Sequence, residues 1–468
     1  MDVRRIILLV LIFVMPSASA QRPSAPRMWD DAALATMELP LANPASSPKH
    51  VTSEYYYRMA ARPIYKSYPI YAPGREPAGY FEMLAQQEPE VIADPSGEQV
   101  FDAPIGYGAT FKMSQVRDAE WYKRVEVPVT KDGIMPFSRY VVRTKGTVEV
   151  GGGSCLMCHA RVMSDGSVVK GAQGNFPVDR AIAYNLREQS AASPRPEALL
   201  DSIRLGQKTF FSVPWLTPDP IDRVSTLGMD DIVATYAAIP PGVTTRVNLS
   251  LFQPAQIPDL IGIKDRHFLD HTGVVQQRTI EDLMRYIALV QGANSFDHFG
   301  TFALLDPLPD PTKLERYSDE NLFALAQYLY SLQPPANPHK ANAVSERGRR
   351  IFSREGCVNC HTPPLYTSNK LTPVDGFKVP DDALQRYPIT ERSVGTDPGL
   401  ALQTRKGTGY YKVPSLKGVW YRSPLQHRGE AKSLEEWLDP QRRAKGHPFG
   451  LKLKLADRAA LIAFLRTL

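Results

Sequence analysis

The sequence predicts a mainly α-helical protein built from two successive copies of one unit, with a small N-terminal extension of short β-strands in front of them. Three observations predict it. The string C-x-x-C-H occurs twice, as Cys155-Leu156-Met157-Cys158-His159 and Cys357-Val358-Asn359-Cys360-His361. Behind each copy the same further elements follow in one order, which marks a duplication. Both copies also close on an apolar run of helical character.

In chain order, Arg4 and Arg5 precede an apolar run, Ile6 to Val14, that is too short to span a bilayer, and Ala18-Ser19-Ala20 follows. This is the order of a bacterial-type secretory signal over residues 1–20, with the mature chain starting at Gln21. No cysteine follows the run to take a lipid anchor, and no later segment resembles a membrane span. Residues 21–150 form the extension. Tyr55, Tyr56, Tyr57, Tyr65, Tyr68, Tyr71 and Tyr80 read as half-buried packing residues. Val125, Val127 and Val129 alternate with polar residues and proline. With Tyr140 to Arg143, Thr147 to Val150, and turns at Asp132-Gly133 and Lys145-Gly146, they predict a small sheet.

The first unit occupies residues 151–335 and the second 336–468, with Pro334-Pro335 and Pro338 marking the linker. Ile257 to Gly262 matches Val413 to Gly418, and Arg266 and Arg422 follow them. His271-Thr272-Gly273 then matches His427-Arg428-Gly429. Helix starts at Thr279 to Leu283 and Ser433 to Trp437 come next, and Ala324 to Leu329 pairs with Ala460 to Leu465. The copies differ at their entrances. Gly348, Ile351 and Phe352 lie on an amphipathic stretch that predicts a helix leading into Cys357. Gly151-Gly152-Gly153-Ser154 before Cys155 will not be a helix. A long insertion separates His159 from Pro258.

The motif has a chemical reason. Two thiols two residues apart can add to the two vinyl groups of one haem, and the next His then ligates the iron from below. The two motifs use all four cysteines, so two covalently bound haem c groups are expected. Cys155 and Cys158 carry one with His159 proximal, and Cys357 and Cys360 carry the other with His361 proximal. Two zinc half-sites or two redox dithiols are the alternatives. The first needs four ligands in one tetrahedron and the second a βαβ setting that the sequence lacks. Such haem is attached outside the cytoplasm, so a periplasmic or secreted location agrees with the signal. The 468 residues, 43% hydrophobic and 22% charged, suffice for two or three cores. A net charge of +6, without a basic-aromatic motif, gives no case for nucleic acid.

From about residue 151 to 468 the chain resembles the bacterial di-haem cytochrome c peroxidase superfamily, and within it the rubber-oxygenase-like di-haem cytochromes. The resemblance is carried by Gly348 to Pro364, Lys412 to Val419, and Gly446-His447-Pro448-Phe449-Gly450 through Leu468. It implies two mainly helical cytochrome c domains packed face to face, one haem passing electrons and the other, in catalytic members, reacting with peroxide or dioxygen. The chain departs from the peroxidases in one respect: its last methionine is Met284, so no Met of the second unit can reach the second iron. Gln441 falls near that place instead. The resemblance offers His447 as the second axial ligand, with His427 as competitor. His427 and its repeat partner His271 otherwise read as residues that order groups near the haem, or as structural turn residues. Tyr410 and Tyr411 are further ligand candidates for which packing is the simpler role. For the first haem, Met163, Met229, Met284, His267 and His298 are the candidates, and Trp215 is a candidate electron relay. The expected function is electron transfer with a redox partner protein or small electron donor. The alternative is a peroxidase or dioxygenase with the first haem as reactive site. A homodimer is compatible with either.

Overall fold

The computed structural model describes residues 53–468 apart from 109, 247–249, 293–297, 300 and 301. The expected signal segment and its cleavage site lie outside the described residues. Helices and short strands alternate along the whole described chain, with no closed barrel among them, so the expectation of a mainly α fold is corrected to a mixed α/β one. The added strands are mostly two or three residues long. They arise where the long proline-rich connections run side by side and pair their backbone groups.

The extension carries a four-stranded sheet of β1 (Ser67–Tyr71), β2 (Gly106–Tyr107), β3 (Ile134–Thr144) and β4 (Thr147–Gly152), in the antiparallel order β1-β3-β4-β2. Tyr140 pairs with Val150 across the hairpin that Lys145-Gly146 turns, Gly146 taking φ 86°. The expected strand over Val125 to Val129 does not form. Val125 instead ends a helix, Ala119–Val125, and the chain leaves it through Glu126 at φ 62°. The reason is spacing: Trp121 and Val125, four apart, bury one helical face (1% and 0% exposed), which outweighs the shorter valine alternation. Tyr55 and Tyr56 are buried and the other tyrosines of the stretch half-buried, as packing residues are.

α1 (Gly97–Asp102) starts with Ser96 and Gln99 in a reciprocal cap, and α2 (Cys155–His159) carries the first motif directly after β4. β5 (Ala160–Val162) and β6 (Val168–Lys170) form a hairpin behind it. The insertion folds as α3 (Val178–Ala192), α4 (Pro196–Phe211) and α5 (Met229–Ala237) around their own core, which includes Leu200, Phe211, Ile232 and Tyr236. α6 (Ile280–Val290) and α7 (Asp319–Ser331) pack together and onto the extension: Phe101, Trp121, Phe137, Leu156, Met284 and Leu325 share one core. The sheet thus runs straight into the first motif.

Past the prolines, α8 (Ala343–Arg354) leads to the second motif. β7 (Leu371–Pro373) and β8 (Tyr410–Lys412) pair antiparallel, and α9 (Leu434–Trp437) and α10 (Leu455–Arg466) finish the chain. α8 and α10 cross at Gly348, where a Cβ would lie 1.9 Å from the Ala460 carbonyl oxygen and 2.7 Å from Phe464 Cβ. Only glycine allows that approach. Ile351, Phe352, Trp437, Leu461 and Phe464 fill the core beneath the crossing. Among the described residues, no helix is long and apolar enough to cross a membrane.

Candidate functional site

The second motif begins where α8 stops. Gly356, at φ 76°, turns the chain into a short 3-10 turn, Cys357–Asn359, and the His361 amide donates to the Cys357 carbonyl at 2.9 Å. His361 is buried (8% exposed), and its Nδ1 donates to the carbonyls of Pro414 (3.1 Å) and Tyr366 (3.2 Å). Side chains tie the two segments together one residue before each of these carbonyls: Thr367 Oγ1 donates to Val413 O and Ser415 Oγ to Leu365 O, both at 2.6 Å. The tautomer is therefore set, and Nε2 keeps the free lone pair.

His447 arrives from the other side of the same space. Its ring centroid lies 6.3 Å from that of His361, and both rings line a cavity of about 260 Å³ with Cys357 and Cys360. The loop that carries it is held by several bonds. The His447 amide donates to Val394 O at 2.6 Å, and Arg442 donates to the His447 carbonyl at 2.9 Å and to those of Gly446 and Trp437. The same guanidinium lies 3.6 Å over the Trp437 ring, and His447 packs against Trp437 and Phe449 at 5.4 Å each. Its backbone takes φ 46°, and a Cβ on neighbouring Gly446 would lie 2.2 Å from the Gly395 carbonyl carbon, so little else fits this path. His447 Nδ1 is sealed without a partner, which leaves Nε2 to act in the cavity. Burial lowers the pKa of His361 to about 4 and of His447 to about 3. Both are then neutral imidazoles at neutral pH, the form that binds a metal.

His427 and His271, the histidines of the two H-x-G strings, meet at the same cavity. Gln256 links them: its amide donates to the His427 carbonyl (2.8 Å), and its carbonyl faces His271 Nε2 (2.6 Å). His427 stacks on Tyr411 (4.1 Å, 25°), and its buried Nε2 has no hydrogen-bond partner. Burial pushes His427 down to about 3 and His271 down to about 4. Tyr411 is spent on that stack and on a 2.8 Å bond to Asp397 O, and Tyr410 is fully buried beside Phe377.

The first motif is built differently. His159 closes α2 and is half-buried; burial lowers its pKa to about 3. The Pro258 carbonyl, at the place equivalent to Pro414, acts to raise it, but no hydrogen bond closes on Nδ1, which is sealed and unpartnered. Gln291 donates to Cys155 Sγ at 3.6 Å. No second imidazole pairs with His159 among the described residues as His447 does with His361. Met284 is buried in the α6 core, Met229 begins α5 beside the insertion's core, and Met163 sits in the turn that joins β5 to β6. His267 is exposed, and His298 lies in a short strand next to residues outside the description. Trp215 packs on Phe299 (5.4 Å) and Phe302 (6.3 Å) and does not line the 260 Å³ cavity.

Burial raises the thiols of Cys155 to about 12 and of Cys158 and Cys357 to about 11. Reactive dithiols and thiolate metal sites need the opposite setting. Among the described residues no three His, Cys, Asp or Glu side chains gather as a metal cluster, so the two motifs do not form one tetrahedron.

Part of the cavity wall is basic. Arg266, Arg422 and Lys412 line the cavity with one carboxylate, Asp259, which accepts from Tyr421 Oη at 2.6 Å. Burial, then Arg266, lowers Lys412 to about 7. Behind it the buried Asp270 lies 3.9 Å from both Lys406 and Arg246; burial alone would raise its pKa, but these cations hold it below the ordinary carboxylate range. The sequence pairs Arg266 with Arg422 without assigning a role. Lys412, Gln256 and Arg442 carry no spacing signal, because their importance comes from contacts between distant segments.

No protein-family model matches the chain. Among curated proteins it is similar to the cytochrome-c peroxidase IdrP1 of Pseudomonas sp. (strain SCT), at 31% identity over 152 residues, 26% of this chain and 39% of that one. It is also similar to the cytochrome-c peroxidase IdrP1 of Denitromonas iodatirespirans, at 28% over 115 residues, 20% of this chain and 30% of that one. The matches thus span well under half the length of these relatives. Of solved structures, Kuenenia stuttgartiensis hydrazine synthase is similar at 16% identity and TM-score 0.33, covering 61% of this chain and 92% of that one. A MauG-like protein associated with microbial copper homeostasis is similar at 18% and 0.30, covering 46% and 73%.

Proposed function

We propose that the chain is an exported di-haem c-type cytochrome that transfers electrons through two covalently bound haems, one in each of two duplicated units. The observation that carries this is the His361–His447 pair. These rings stand 6.3 Å apart with Cys357 and Cys360 in the same cavity wall, so both imidazoles would hold one haem iron attached at those cysteines. The partial likeness to cytochrome-c peroxidases supports the same class.

In this reading Cys155 and Cys158 would hold one haem with His159, and Cys357 and Cys360 the other with His361 and His447. Each haem, when bound, supplies a one-electron ferric/ferrous couple. The chain's own residues do the rest. Pro414 and Tyr366 fix the His361 tautomer, and the Arg442 clamp presents His447. The inward cations Arg266, Arg422 and Lys412, one carboxylate among them, offer positive charge to the carboxylates of the cofactor. The apolar walls, Phe352, Leu434, Trp437 and Leu461, keep water out. Tyr411, with its hydroxyl bonded to Asp397 O and its ring stacked on His427, packs and orders the wall.

The test is a denaturing gel stained for haem, with intact mass. The proposal expects two haem increments in a host that attaches c-type haem, and a mature mass lacking either contradicts it. A peroxidase or dioxygenase is the second reading, favoured by the lack of an opposing imidazole at His159 among the described residues and by the names of the relatives. Carbon monoxide binding by the reduced protein, lost on changing residues around His159, selects it. A protein that binds neither carbon monoxide nor peroxide in any redox state selects the carrier alone.

A further inference from the structure

The His447 loop reaches the surface within two residues. Phe449 is 38% exposed, yet its ring packs edge-on against His447 at 5.4 Å and lines the same cavity. It is the short way from solvent to the inner imidazole. Pro448 beside it and Leu455 (79% exposed) add apolar surface in the same stretch. Such side chains are not left out for stability, since burying them would favour folding.

The charge around this spot is one-sided. Residues 441–458 carry Arg442, Arg443, Lys445, Lys452, Lys454 and Arg458 against a single acid, Asp457. That acid is already taken by Arg347 and Arg354 from α8. Arg443, Lys445, Lys452 and Lys454 are all exposed, and none has an ion pair among those described. The loop that pairs with His447 through Val394 adds Glu391 and Arg392, both exposed, which cancel. The whole chain is only +6, so a local excess of this size is a feature of the patch and not of the background.

We infer that this patch, exposed Phe449 with Arg443, Lys445, Lys452 and Lys454 close to it in the chain, is the docking face for an acidic redox protein that exchanges electrons with the second haem. The inference rests on the di-haem reading and adds the partner's chemistry and its place. A cationic rim steers an anionic partner and lowers the encounter barrier in a salt-dependent way, and the apolar centre gives close, dry contact where the electron crosses. In each productive encounter one electron leaves the partner's centre and one ferric haem becomes ferrous; no bond forms or breaks.

The probe is a small acidic [2Fe–2S] ferredoxin. Its binding to the full haem-loaded protein is measured at low and at physiological salt, together with the bimolecular reduction rate. Two triple variants are compared. Lys445→Glu/Lys452→Glu/Lys454→Glu changes the patch; Lys123→Glu/Lys131→Glu/Lys145→Glu makes the same change of net charge on the extension. The patch variant is expected to bind about ten-fold or more weakly at low salt and to lose most of the salt dependence, while the extension variant stays within about two-fold of the parent. Equal loss in both variants, or loss in neither, overturns the inference. Haem staining and the optical spectrum of every variant separate this failure from failure of the haem reading. A parent without covalent haem defeats that reading, whereas an intact spectrum with unaltered binding defeats the docking face alone.

Discussion

The two C-x-x-C-H motifs have the same letters and different surroundings. The second follows a helix, α8, that crosses α10 at Gly348. Its His361 is fixed by two carbonyls, and a second imidazole stands opposite on a clamped loop. The first follows the end of a β-strand. Its His159 has a sealed Nδ1 with no hydrogen bond, and its neighbourhood is shared with the sheet of the extension. In the proposed di-haem reading the motif alone sets where a cofactor would be tied. The elements before and after it decide whether the site is closed on both faces, and among the described residues the parts for that stand at the second.

The sharpest way to break this comparison is to remove one attachment point at a time. Cys357→Ala/Cys360→Ala should drop one haem increment in intact mass and remove the bis-imidazole part of the ferric spectrum, with the haem at Cys155 and Cys158 retained. Loss of both increments would mean that the two regions are not separable. The next effect is on stability. Gly348→Ala forces a methyl into the Ala460 carbonyl, so α8 and α10 must part; overpacking of this kind costs about 1–3 kcal/mol. At roughly 2–4 °C per kcal/mol for a domain of 150–250 residues, the melting midpoint should fall by several degrees by circular dichroism. An unchanged midpoint removes the close crossing from the account.

A smaller, local effect is expected at Arg442. Arg442→Ala frees the carbonyls of Gly446, His447 and Trp437. It should yield a partial high-spin fraction in the ferric spectrum, with Arg442→Lys in between, and without loss of covalent haem. A fully low-spin Arg442→Ala spectrum would show that the loop holds without its clamp. A further effect concerns pH. His427 and His271 stay neutral in the fold down to about 3 and 4 because burial disfavours their charged forms, whereas in the unfolded chain each takes a proton near 6.5. Below about 6.5 the unfolded state therefore binds more protons, and stability falls as pH falls. His427→Gln should flatten the decline of the urea midpoint between pH 6.5 and 4; a parallel decline in variant and parent contradicts the assignment.

Much of this was legible in the sequence because it is local. The helix before Cys357, the glycines before Cys155, the hairpin at Lys145-Gly146 and the helix starts after Thr279 and Ser433 all appear in place. What failed was local competition: Val125 to Val129 alternates like a strand, yet Trp121 and Val125 make the stronger helical face. The mixed α/β character was not legible either, since two-residue strands depend on which loops meet. His447 was offered by resemblance alone. Nothing in its spacing reveals the Val394 carbonyl, the Arg442 clamp or the meeting of His271 with His427 at Gln256, all of which join segments far apart in the chain.

The central claim is that His361 and His447 are the axial pair of the second haem. The most direct test is the ferric optical and electron paramagnetic resonance spectrum of haem-loaded His447→Ala beside His427→Ala. The account predicts that His447→Ala converts one of two haems to high spin while His427→Ala leaves both spin states as in the parent. High spin appearing in His427→Ala, with His447→Ala unchanged, contradicts it.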